Sequence, residues 1–277
     1  MSQQAEAPVV VVTGAARGIG AAIATLLHTT GYRLVLTDMD LPRLEETRSL
    51  LSPAHAALRA DVTDPGKMAA CAEHALERFG RLDVWINNAG VIPSGLLTEQ
   101  DSEDLARAWQ TNLGGTVHGC RAALPHMLDR HHGQIINIAS LCAVKPLAGL
   151  ALYSATKAAV VALSEGLRRE IRGSGVRITC VLPYMVATGA SQGLRPRLVR
   201  PLHPEQVARA VARAIRRPRS RIYVPGPLGR ILACASQLPE SARDAVDDLI
   251  HMDELGLTPR EMPGQRFSRP PTPQRSI

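Results

Sequence analysis

Aromatic residues are scarce in this chain, whose 277 residues include only four tyrosines, two phenylalanines and two tryptophans. Few aromatic surfaces are therefore available to stack against bases, which argues against a protein that binds single-stranded nucleic acid. The cysteines are few, odd in number and without a Cys-x-x-Cys pair; they stand at positions 71, 120, 142, 180 and 234. This spacing indicates free thiols in a reducing compartment rather than a disulfide scaffold.

Long apolar runs are also missing, and no stretch reaches the roughly 18 residues that a membrane-spanning helix needs. The first residues, MSQQAEAP, contain no cationic segment followed by an apolar run, so we expect no secretory signal. None of the nine histidines has the HExxH or Cys/His spacing of a zinc site. The sequence therefore predicts a cytoplasmic protein without a bound metal.

Positive charge is concentrated in one segment rather than spread along the chain. The formal net charge is +7, but residues 195–221 alone contain nine arginines and one acid, so the remainder sums to −1. In the predicted helix 204–217 the arginines lie opposite an apolar stripe, which is typical of a solvated face. Contact with an anionic substrate tail or a membrane surface is the alternative interpretation. The segment 228–238 would either cap a pocket or lie on a membrane.

Strand and helix patterns alternate along most of the chain. Helices of this length between strands predict an α/β fold with a doubly wound, mostly parallel, Rossmann-type sheet of seven strands and helices on both faces. We expect one domain over residues 1–250, followed by an irregular tail rich in Pro and Arg at 251–277. The predicted strands are 8–13, 33–38, 56–61, 81–90, 133–140, 175–183 and 220–225, and the predicted helices include 40–52, 65–79, 101–130, 152–172 and 204–217.

The sequence TGAARGIG, residues 13–20, lies between the first strand and the first helix. Gly14 allows the tight turn, while Gly18 and Gly20 allow backbone to approach a pyrophosphate closely and the helix to pack on the sheet. The free N–H groups of the helix N-terminus would face the phosphates. The segment therefore predicts a dinucleotide-binding turn.

Two charged residues give opposite indications about which dinucleotide is bound. Asp38 ends the second strand, where a carboxylate can accept both ribose hydroxyls and would repel a 2′-phosphate. Arg17, within the glycine-rich turn, could instead pair with a 2′-phosphate. Asp38 is expected to lie closer to the deciding atom, so the sequence favours NAD over NADP.

The stretch LYSATKAAV, residues 152–160, contains one of only three lysines in the chain, at positions 67, 145 and 157. Tyr153 and Lys157 are four residues apart and therefore share one face of the predicted helix. A phenol has a pKa of about 10, and a nearby ammonium group lowers it by stabilising the phenolate. The pair predicts an acid/base site.

Two further polar residues are expected near this pair. Ser140 closes the fifth strand at the same edge of the sheet, where its hydroxyl could hydrogen-bond a substrate oxygen that gains negative charge. Asn112 precedes Gly114 and Gly115 within a predicted helix, a locally unfavourable combination. Such a conflict is expected where a side chain and the backbone hold water for a proton relay.

Over residues 8–225 these features together resemble the short-chain dehydrogenase/reductase family, of the compact single-domain type. TGAARGIG fits its T-G-x3-G-x-G motif, NNAG at 87–90 fits its turn after strand four, and Asn112, Ser140, Tyr153 and Lys157 fit its catalytic tetrad. One departure is Tyr184, which follows Pro183 where the family usually has glycine. The resemblance implies cofactor contacts from Gly14, Arg17, Gly18, Ile19, Gly20, Asp38, Asp61, Val62, Asn88, Ala89, Gly90, Tyr153, Lys157, Val186 and Thr188.

By that resemblance Tyr153 is the general acid/base, Lys157 positions the ribose and lowers the phenol pKa, Ser140 orients the reacting oxygen, and Asn112 anchors a water relay. The implied reaction interconverts a secondary alcohol and a ketone by hydride transfer with the nicotinamide cofactor. Apolar stretches at 141–152 and 184–203 would flank the substrate, which favours a hydrophobic, lipid- or sterol-like molecule, although they could merely cover the sheet edge.

Two further expectations follow from the resemblance. The long helices at 101–130 and 152–172 would build a homodimer or homotetramer. The alternative function is an NAD-sensing module of the same fold without turnover, against which the intact tetrad argues; a nucleic-acid binder acting through the arginine-rich segment is a more distant alternative.

Cofactor preference tests the interpretation of Asp38. A carboxylate about 4 Å from a 2′-phosphate is repelled by about 1–4 kcal/mol, depending on the local dielectric. We therefore expect the KM for NADP to exceed the KM for NAD by about tenfold or more. Steady-state kinetics with both nucleotides measures this, and a clear preference for NADP would contradict it.

Overall fold

The computed structural model describes residues 7–189 and 200–242, in which strands and helices alternate as the sequence predicts. The strands are β1 (Val9–Thr13), β2 (Arg33–Asp38), β3 (Ala56–Arg59), β4 (Val84–Asn87), β5 (Gly133–Ile138), β6 (Val176–Pro183) and β7 (Arg221–Val224). The helices are α1 (Gly18–Thr29), α2 (Leu41–Ser49), α3 (Pro65–Phe79), α4 (Ser102–Trp109), α5 (Gly115–Asp129), α6 (Ala151–Glu170), α7 (Pro204–Arg216) and α8 (Gly226–Ala235).

The seven strands form one sheet in the order β3-β2-β1-β4-β5-β6-β7, and every neighbouring pair is parallel. The predicted doubly wound, Rossmann-type α/β fold is confirmed. The strand order reverses between β1 and β4, and in such sheets ligands bind in the crevice outside the carboxyl ends of the strands at this point. A ligand site is therefore expected at the carboxyl ends of β1, β4, β5 and β6.

Hydrophobic cores cover both faces of the sheet. The alternation of β1 sends Val10 and Val12 to the core beneath α1, α2 and α7, and sends Val9 and Val11 to the core beneath α3 and α5. All four valines are fully buried, which explains why this strand is a continuous β-branched run rather than an alternating one. The central strand is consequently held between two apolar layers.

A chain of buried hydrogen bonds crosses β4 and β5 toward α6. Trp85 Nε1 donates to Asn87 Oδ1 (2.7 Å), Asn87 Nδ2 donates to Asn137 Oδ1 (2.9 Å), and Asn137 Nδ2 donates to Ser164 Oγ (2.9 Å). Buried amides that are fully paired hold their neighbours in one arrangement, since leaving any of them unpaired is costly. This chain fixes the ends of both strands relative to α6.

The predicted helix 101–130 is wrong in one respect, because a π-helical turn at Gln110–Gly114 separates α4 from α5. Asn112, Gly114 and Gly115 are weak α-helix formers, which makes a departure from α-helical geometry less costly here. A Cβ on Gly115 would stand 2.6 Å from Val62 Cγ2, so only glycine permits this approach. Asn112, within the π-helical turn, is fully buried. The strand predicted at 81–90 is also shorter than expected, because polar turn geometry begins directly after Asn87.

The two C-terminal segments of interest differ in how they pack. In α7 the residues Val207, Val211 and Ala214 are buried and the arginines Arg209, Arg213 and Arg216 are exposed, as predicted for a solvated face. In α8 the side chains Leu228 and Leu232 pack against the cluster around Leu141 and Val160, although Ile231 is 65% exposed. The predicted tail 251–277 and part of the arginine-rich segment, residues 195–199, lie outside the described residues.

Within residues 7–189 and 200–242, no helix combines the length and the apolar character that crossing a bilayer requires. The same residues contain no group of three or more His, Cys, Asp or Glu side chains placed to hold a metal ion. All five cysteines are free thiols.

Two helical glycines provide a matched test of this packing. A Cβ on Gly119 of α5 would collide with Asn87 Oδ1 and stand 2.5 Å from Trp85 Nε1, whereas a Cβ on Gly166 of α6 meets nothing within 4 Å. We expect Gly119→Ala to lower the free energy of unfolding by about 1–3 kcal/mol through overpacking. Gly166→Ala should raise it by up to about 1 kcal/mol because alanine favours helix.

Urea denaturation of both variants measures these changes. Equal stabilities for Gly119→Ala and the unmodified protein would show that α5 does not approach β4 as closely as described.

Candidate active site

A cavity of about 430 Å³ lies at the carboxyl ends of the central strands. This volume falls within the range of about 300–1,000 Å³ that is usual for small-molecule and cofactor sites. The glycine-rich turn after β1 lines one end of the cavity, and Ser140 and Tyr153 line the other. A single continuous cavity therefore joins the predicted nucleotide-binding turn to the predicted acid/base pair.

The turns after β1 and β4 are tied to each other by Thr13 and Asn88. Thr13 Oγ1 accepts hydrogen bonds from the N–H groups of Asn88 (3.0 Å) and Ala89 (3.1 Å) and donates to the carbonyl of Ile86 (3.3 Å). Asn88 Nδ2 donates to the carbonyls of Thr13 (2.9 Å) and Gly14 (3.0 Å). These five bonds fix the shape of the turn from both sides.

The glycines of this turn are needed for different reasons. Gly14 has a positive φ of 65°, and a Cβ there would stand 2.8 Å from Ala89 Cα. A Cβ on Gly20 would collide with the carbonyl oxygen of Gly14 and stand 2.7 Å from Asn88 Nδ2. Gly20 therefore allows α1 to pack closely against the turn, whereas Gly14 allows the backbone of the turn to adopt a positive φ.

The N-terminus of α1 has no side-chain cap, because Arg17 occupies the capping position without a capping hydrogen bond. The N–H groups of the first helical turn are therefore available to a ligand, and the helix dipole places partial positive charge there. Since the glycines also leave no side chain above them, this end of the cavity fits the pyrophosphate of a dinucleotide.

Asp38 and Arg17 both line the same end of the cavity. Asp38 Oδ2 accepts a hydrogen bond from the N–H of Ala16 (3.1 Å), and Oδ1 accepts one from the N–H of Asp40 (3.1 Å). Its carboxylate is thus oriented by the turn that it faces. The arginine side chain is exposed. A ribose 2′ position would meet the fixed carboxylate and the exposed guanidinium together.

Tyr153 and Lys157 lie on the inner face of α6, and the ammonium Nζ is 5.8 Å from the phenol ring centroid. Lys157 Nζ donates to the carbonyl of Ile138 (3.0 Å), at the end of β5. Burial lowers the pKa of Lys157 to about 8, because a charge is costly away from water. The spacing of the pair thus does place both groups at the cavity.

Burial also acts on Tyr153, in the direction opposite to our expectation from the sequence. The phenol lines the cavity but is only 9% exposed, and this burial raises its pKa above the usual value. Desolvation determines the direction of this shift, and the expected effect of the Lys157 ammonium on the phenol pKa stays a prediction. The phenol is consequently protonated at neutral pH.

Ser140 stands beside Tyr153, and its hydroxyl partly offsets the rise in the phenol pKa. Ser140 Oγ accepts a hydrogen bond from the N–H of Cys142 (3.2 Å), which orients the hydroxyl at the end of β5. The thiol of Cys142 also faces the cavity, and burial raises its pKa. The thiol is therefore neutral and a weak nucleophile.

Asn112 does not line the cavity and is instead engaged behind it. Its Oδ1 accepts from the N–H of Val91 (2.8 Å), and its Nδ2 donates to the carbonyl of Val91 (2.9 Å) and to Thr156 Oγ1 (3.0 Å). A Cβ on Gly90 would stand 3.0 Å from Asn112 Oδ1 and 3.4 Å from Lys157 Nζ. Asn112 therefore holds the loop after β4 against α6, with Gly90 between its amide and the lysine.

Most of the predicted site residues meet at this one cavity. Those that line it are Gly14, Arg17, Gly18, Ile19, Asp38, Val62, Asn88, Ala89, Gly90, Ser140, Tyr153, Lys157, Val186 and Thr188. Gly20, Asp61 and Asn112 do not line it. Asp61 instead accepts a hydrogen bond from the N–H of Thr63 (2.9 Å), which shapes the turn after β3.

Several lining residues were not predicted from the sequence: Met39, Asp40, Ala60, Val91, Ile92, Thr111, Ile138 and Ala139. Most of them adjoin a predicted site residue along the chain, and that adjacency is the signal that could have identified them. The two apolar stretches expected near the substrate do contribute, through Cys142, Leu147, Leu150, Tyr184 and Met185. No described residue of α8 lines the cavity, so that helix supports it from behind.

Comparison with known proteins decides the family. The family model described as short chain dehydrogenase matches residues 8–198, which is more than half of the chain. The chain belongs to the short-chain dehydrogenase/reductase family.

Two staphylococcal proteins are similar to this chain over most of its length. An uncharacterized oxidoreductase of Staphylococcus aureus (strain USA300) is 36% identical over 212 residues, covering 76% of this chain and 92% of that protein. An uncharacterized oxidoreductase of Staphylococcus saprophyticus is 37% identical over 214 residues, covering 76% of this chain and 92% of that protein.

Solved structures of the family show the same fold with nucleotides bound. A short chain dehydrogenase/reductase from Burkholderia phymatum in complex with NAD has a TM-score of 0.76 and 27% identity, covering 94% of this chain and 98% of that chain. A 3-ketoacyl-(acyl-carrier-protein) reductase from Brucella melitensis complexed with NADH has a TM-score of 0.74 and 26% identity, covering 79% and 97%. The protein ElxO, with NADP bound, has a TM-score of 0.73 and 26% identity, covering 79% and 97%.

Proposed function

We propose that this short-chain dehydrogenase/reductase is an oxidoreductase that interconverts a secondary alcohol and a ketone with a nicotinamide dinucleotide. The observation that carries the proposal is the position of a protonated Tyr153 beside Ser140, in the same cavity as a glycine turn that fits a pyrophosphate. The similar structures with NAD, NADH and NADP support a nicotinamide cofactor.

The residues that would hold this cofactor divide along the cavity. The N–H groups at the start of α1 and the turn around Gly14 would take the pyrophosphate, and Asp38 would accept from the adenosine ribose. Lys157, with donors beyond the one given to Ile138, would reach the nicotinamide ribose. Val186 and Thr188 line the cavity where the carboxamide is expected.

When bound, the nicotinamide supplies the hydride that is exchanged with the substrate carbon. The protein's contribution is proton transfer and orientation. In ketone reduction, Ser140 would donate a hydrogen bond to the carbonyl oxygen and Tyr153 would give that oxygen its proton. In alcohol oxidation, the same phenol must first lose its proton and then accept one from the substrate hydroxyl.

Asn112 would act through position rather than by contact with the substrate. Its three hydrogen bonds hold Val91 and Thr156, and Thr156 Oγ1 in turn donates to the carbonyl of Tyr153 (2.8 Å). Gly90 lies between the Asn112 amide and Lys157 Nζ, and the expected water relay between these two side chains stays a prediction.

The proposed substrate is hydrophobic. The substrate end of the cavity is lined by apolar side chains from three segments of the chain: Val91, Ile92, Leu147, Leu150 and Met185. Apolar walls with few polar groups are typical of pockets that bind apolar ligands and use the polar groups to orient them. NAD is the proposed cofactor, because the Asp38 carboxylate is fixed by two backbone N–H groups.

The expected homo-oligomer, the cytoplasmic location and a surface contact of the arginine-rich segment stay predictions. The exposed arginines of α7 are compatible with simple solvation.

Replacement of the phenol tests the proposed role of Tyr153. We expect Tyr153→Phe to lower kcat for ketone reduction by at least about 100-fold, because a general acid contributes about 100- to 10,000-fold. NADH affinity should remain within a few fold, since the ring and Lys157 are kept. Turnover with a panel of hydrophobic ketones and titration calorimetry with NADH measure the two effects.

Tyr32→Phe is the control, since Tyr32 is partly buried outside the cavity. Retention of most of the activity in Tyr153→Phe would show that the phenol is not the general acid. NADH binding by the unmodified protein without turnover of any alcohol or ketone would favour a nucleotide-sensing module.

A further inference from the structure

Tyr184 stands where the family motif places a glycine, directly after β6. Its N–H donates to the carbonyl of Val224 (2.7 Å), so the backbone continues alongside β7 despite the larger residue. The side chain packs against both apolar clusters that meet beneath this loop, and it lines the catalytic cavity together with Cys142 and Tyr153. The substitution therefore adds a phenol to the wall of the site itself.

The surroundings of this phenol are apolar. Val91, Ile92, Leu147, Leu150 and Met185 line the same cavity, and the thiol of Cys142 is close enough to both phenols to affect their titration. Partial burial raises the pKa of Tyr184, so its hydroxyl is a neutral hydrogen-bond donor at physiological pH.

A hydroxyl placed among apolar groups is favourable only when a partner satisfies it, and sites with such hydroxyls discriminate strongly against ligands that lack the partner. The reacting oxygen of the substrate is already assigned to Ser140 and Tyr153. A donor at Tyr184 would need another acceptor, and because Tyr184 lines the same cavity as Ser140 and Tyr153, that acceptor would belong to the same substrate molecule.

We propose that Tyr184 is a specificity-determining residue, whose hydroxyl donates a hydrogen bond to a second oxygen of the substrate. The preferred substrate is then a hydrophobic ketone or alcohol with an additional carbonyl, ester or hydroxyl oxygen near the reacting carbon. This inference rests on the proposed function and narrows its substrate class.

Paired substrates of similar size test the inference. The probes are 2-octanone, which has a single oxygen, ethyl acetoacetate, a 3-oxo ester, and ethyl levulinate, a 4-oxo ester. The unmodified protein with NADH should show a higher kcat/KM for at least one oxo ester than for 2-octanone. Tyr184→Phe should lower that preference by about three- to tenfold, the value of one neutral hydrogen bond.

Two additional variants control for packing. Tyr184→Leu, which also removes the hydroxyl, should lower the same ratio. Tyr223→Phe, which removes a phenol oxygen on the adjacent strand outside the cavity lining, should leave the ratio as in the unmodified protein. Titration with NADH verifies that each variant is folded.

Each other outcome overturns the inference in a distinguishable way. An equal loss of kcat/KM for all three ketones in Tyr184→Phe, which leaves the ratio unchanged, would show that the residue only packs in the site. Unchanged kcat/KM values for all three ketones in that variant, or no preference for either oxo ester in the unmodified protein, would show that the second hydrogen bond does not form. Binding of NADH without turnover of any of the ketones would contradict the proposed function and the inference together.

Discussion

The site depends on hydrogen bonds that tie the end of β1 to the end of β4. A parallel sheet leaves the last carbonyl and N–H groups of each strand unpaired at its carboxyl edge, and these groups must find partners. Here Thr13 Oγ1 and Asn88 Nδ2 supply them, so two turns that are 75 residues apart along the chain form one rigid unit. These hydrogen bonds hold the glycine turn in place. The N-terminus of α1, which follows the turn, therefore lies at the cavity.

Burial is the second constraint, and it acts on the acid/base pair as much as on the core. Burial makes the charged forms of both side chains costly, so the pKa of Lys157 falls to about 8 while that of the Tyr153 phenol rises. The phenol is thereby kept as a proton donor. The carbonyl of Ile138 stabilises the ammonium at a fixed point, and Asn112 fixes the loop that closes the site behind it.

The local patterns in the sequence predicted those parts of the structure that depend on neighbours along the chain. The apolar run of β1, the glycine turn and the four-residue spacing of Tyr153 and Lys157 each follow from backbone geometry, and the structure shows them as expected. The parallel sheet followed from the alternation of strands and helices.

The features that the sequence did not predict depend on contacts between distant segments. Asn112 forms hydrogen bonds with Val91 and Thr156, which are 21 and 44 residues away along the chain. No local sequence pattern predicts those partners. Next to the π-helical turn, Gly115 comes close to Val62, a residue 53 positions earlier in the chain. The rise in the Tyr153 pKa depends on how deeply the assembled fold buries the phenol, which spacing alone does not specify.

Hydride transfer to a carbonyl carbon is the central claim, and isotope transfer tests it most directly. The protein would be incubated with NADH that carries deuterium at both C4 positions and with a hydrophobic ketone, and the product would be analysed by mass spectrometry and NMR. The account predicts one deuterium on the carbinol carbon and a proton from solvent on the oxygen. Product formed without deuterium at that carbon, or no alcohol product from any ketone despite bound NADH, would contradict it.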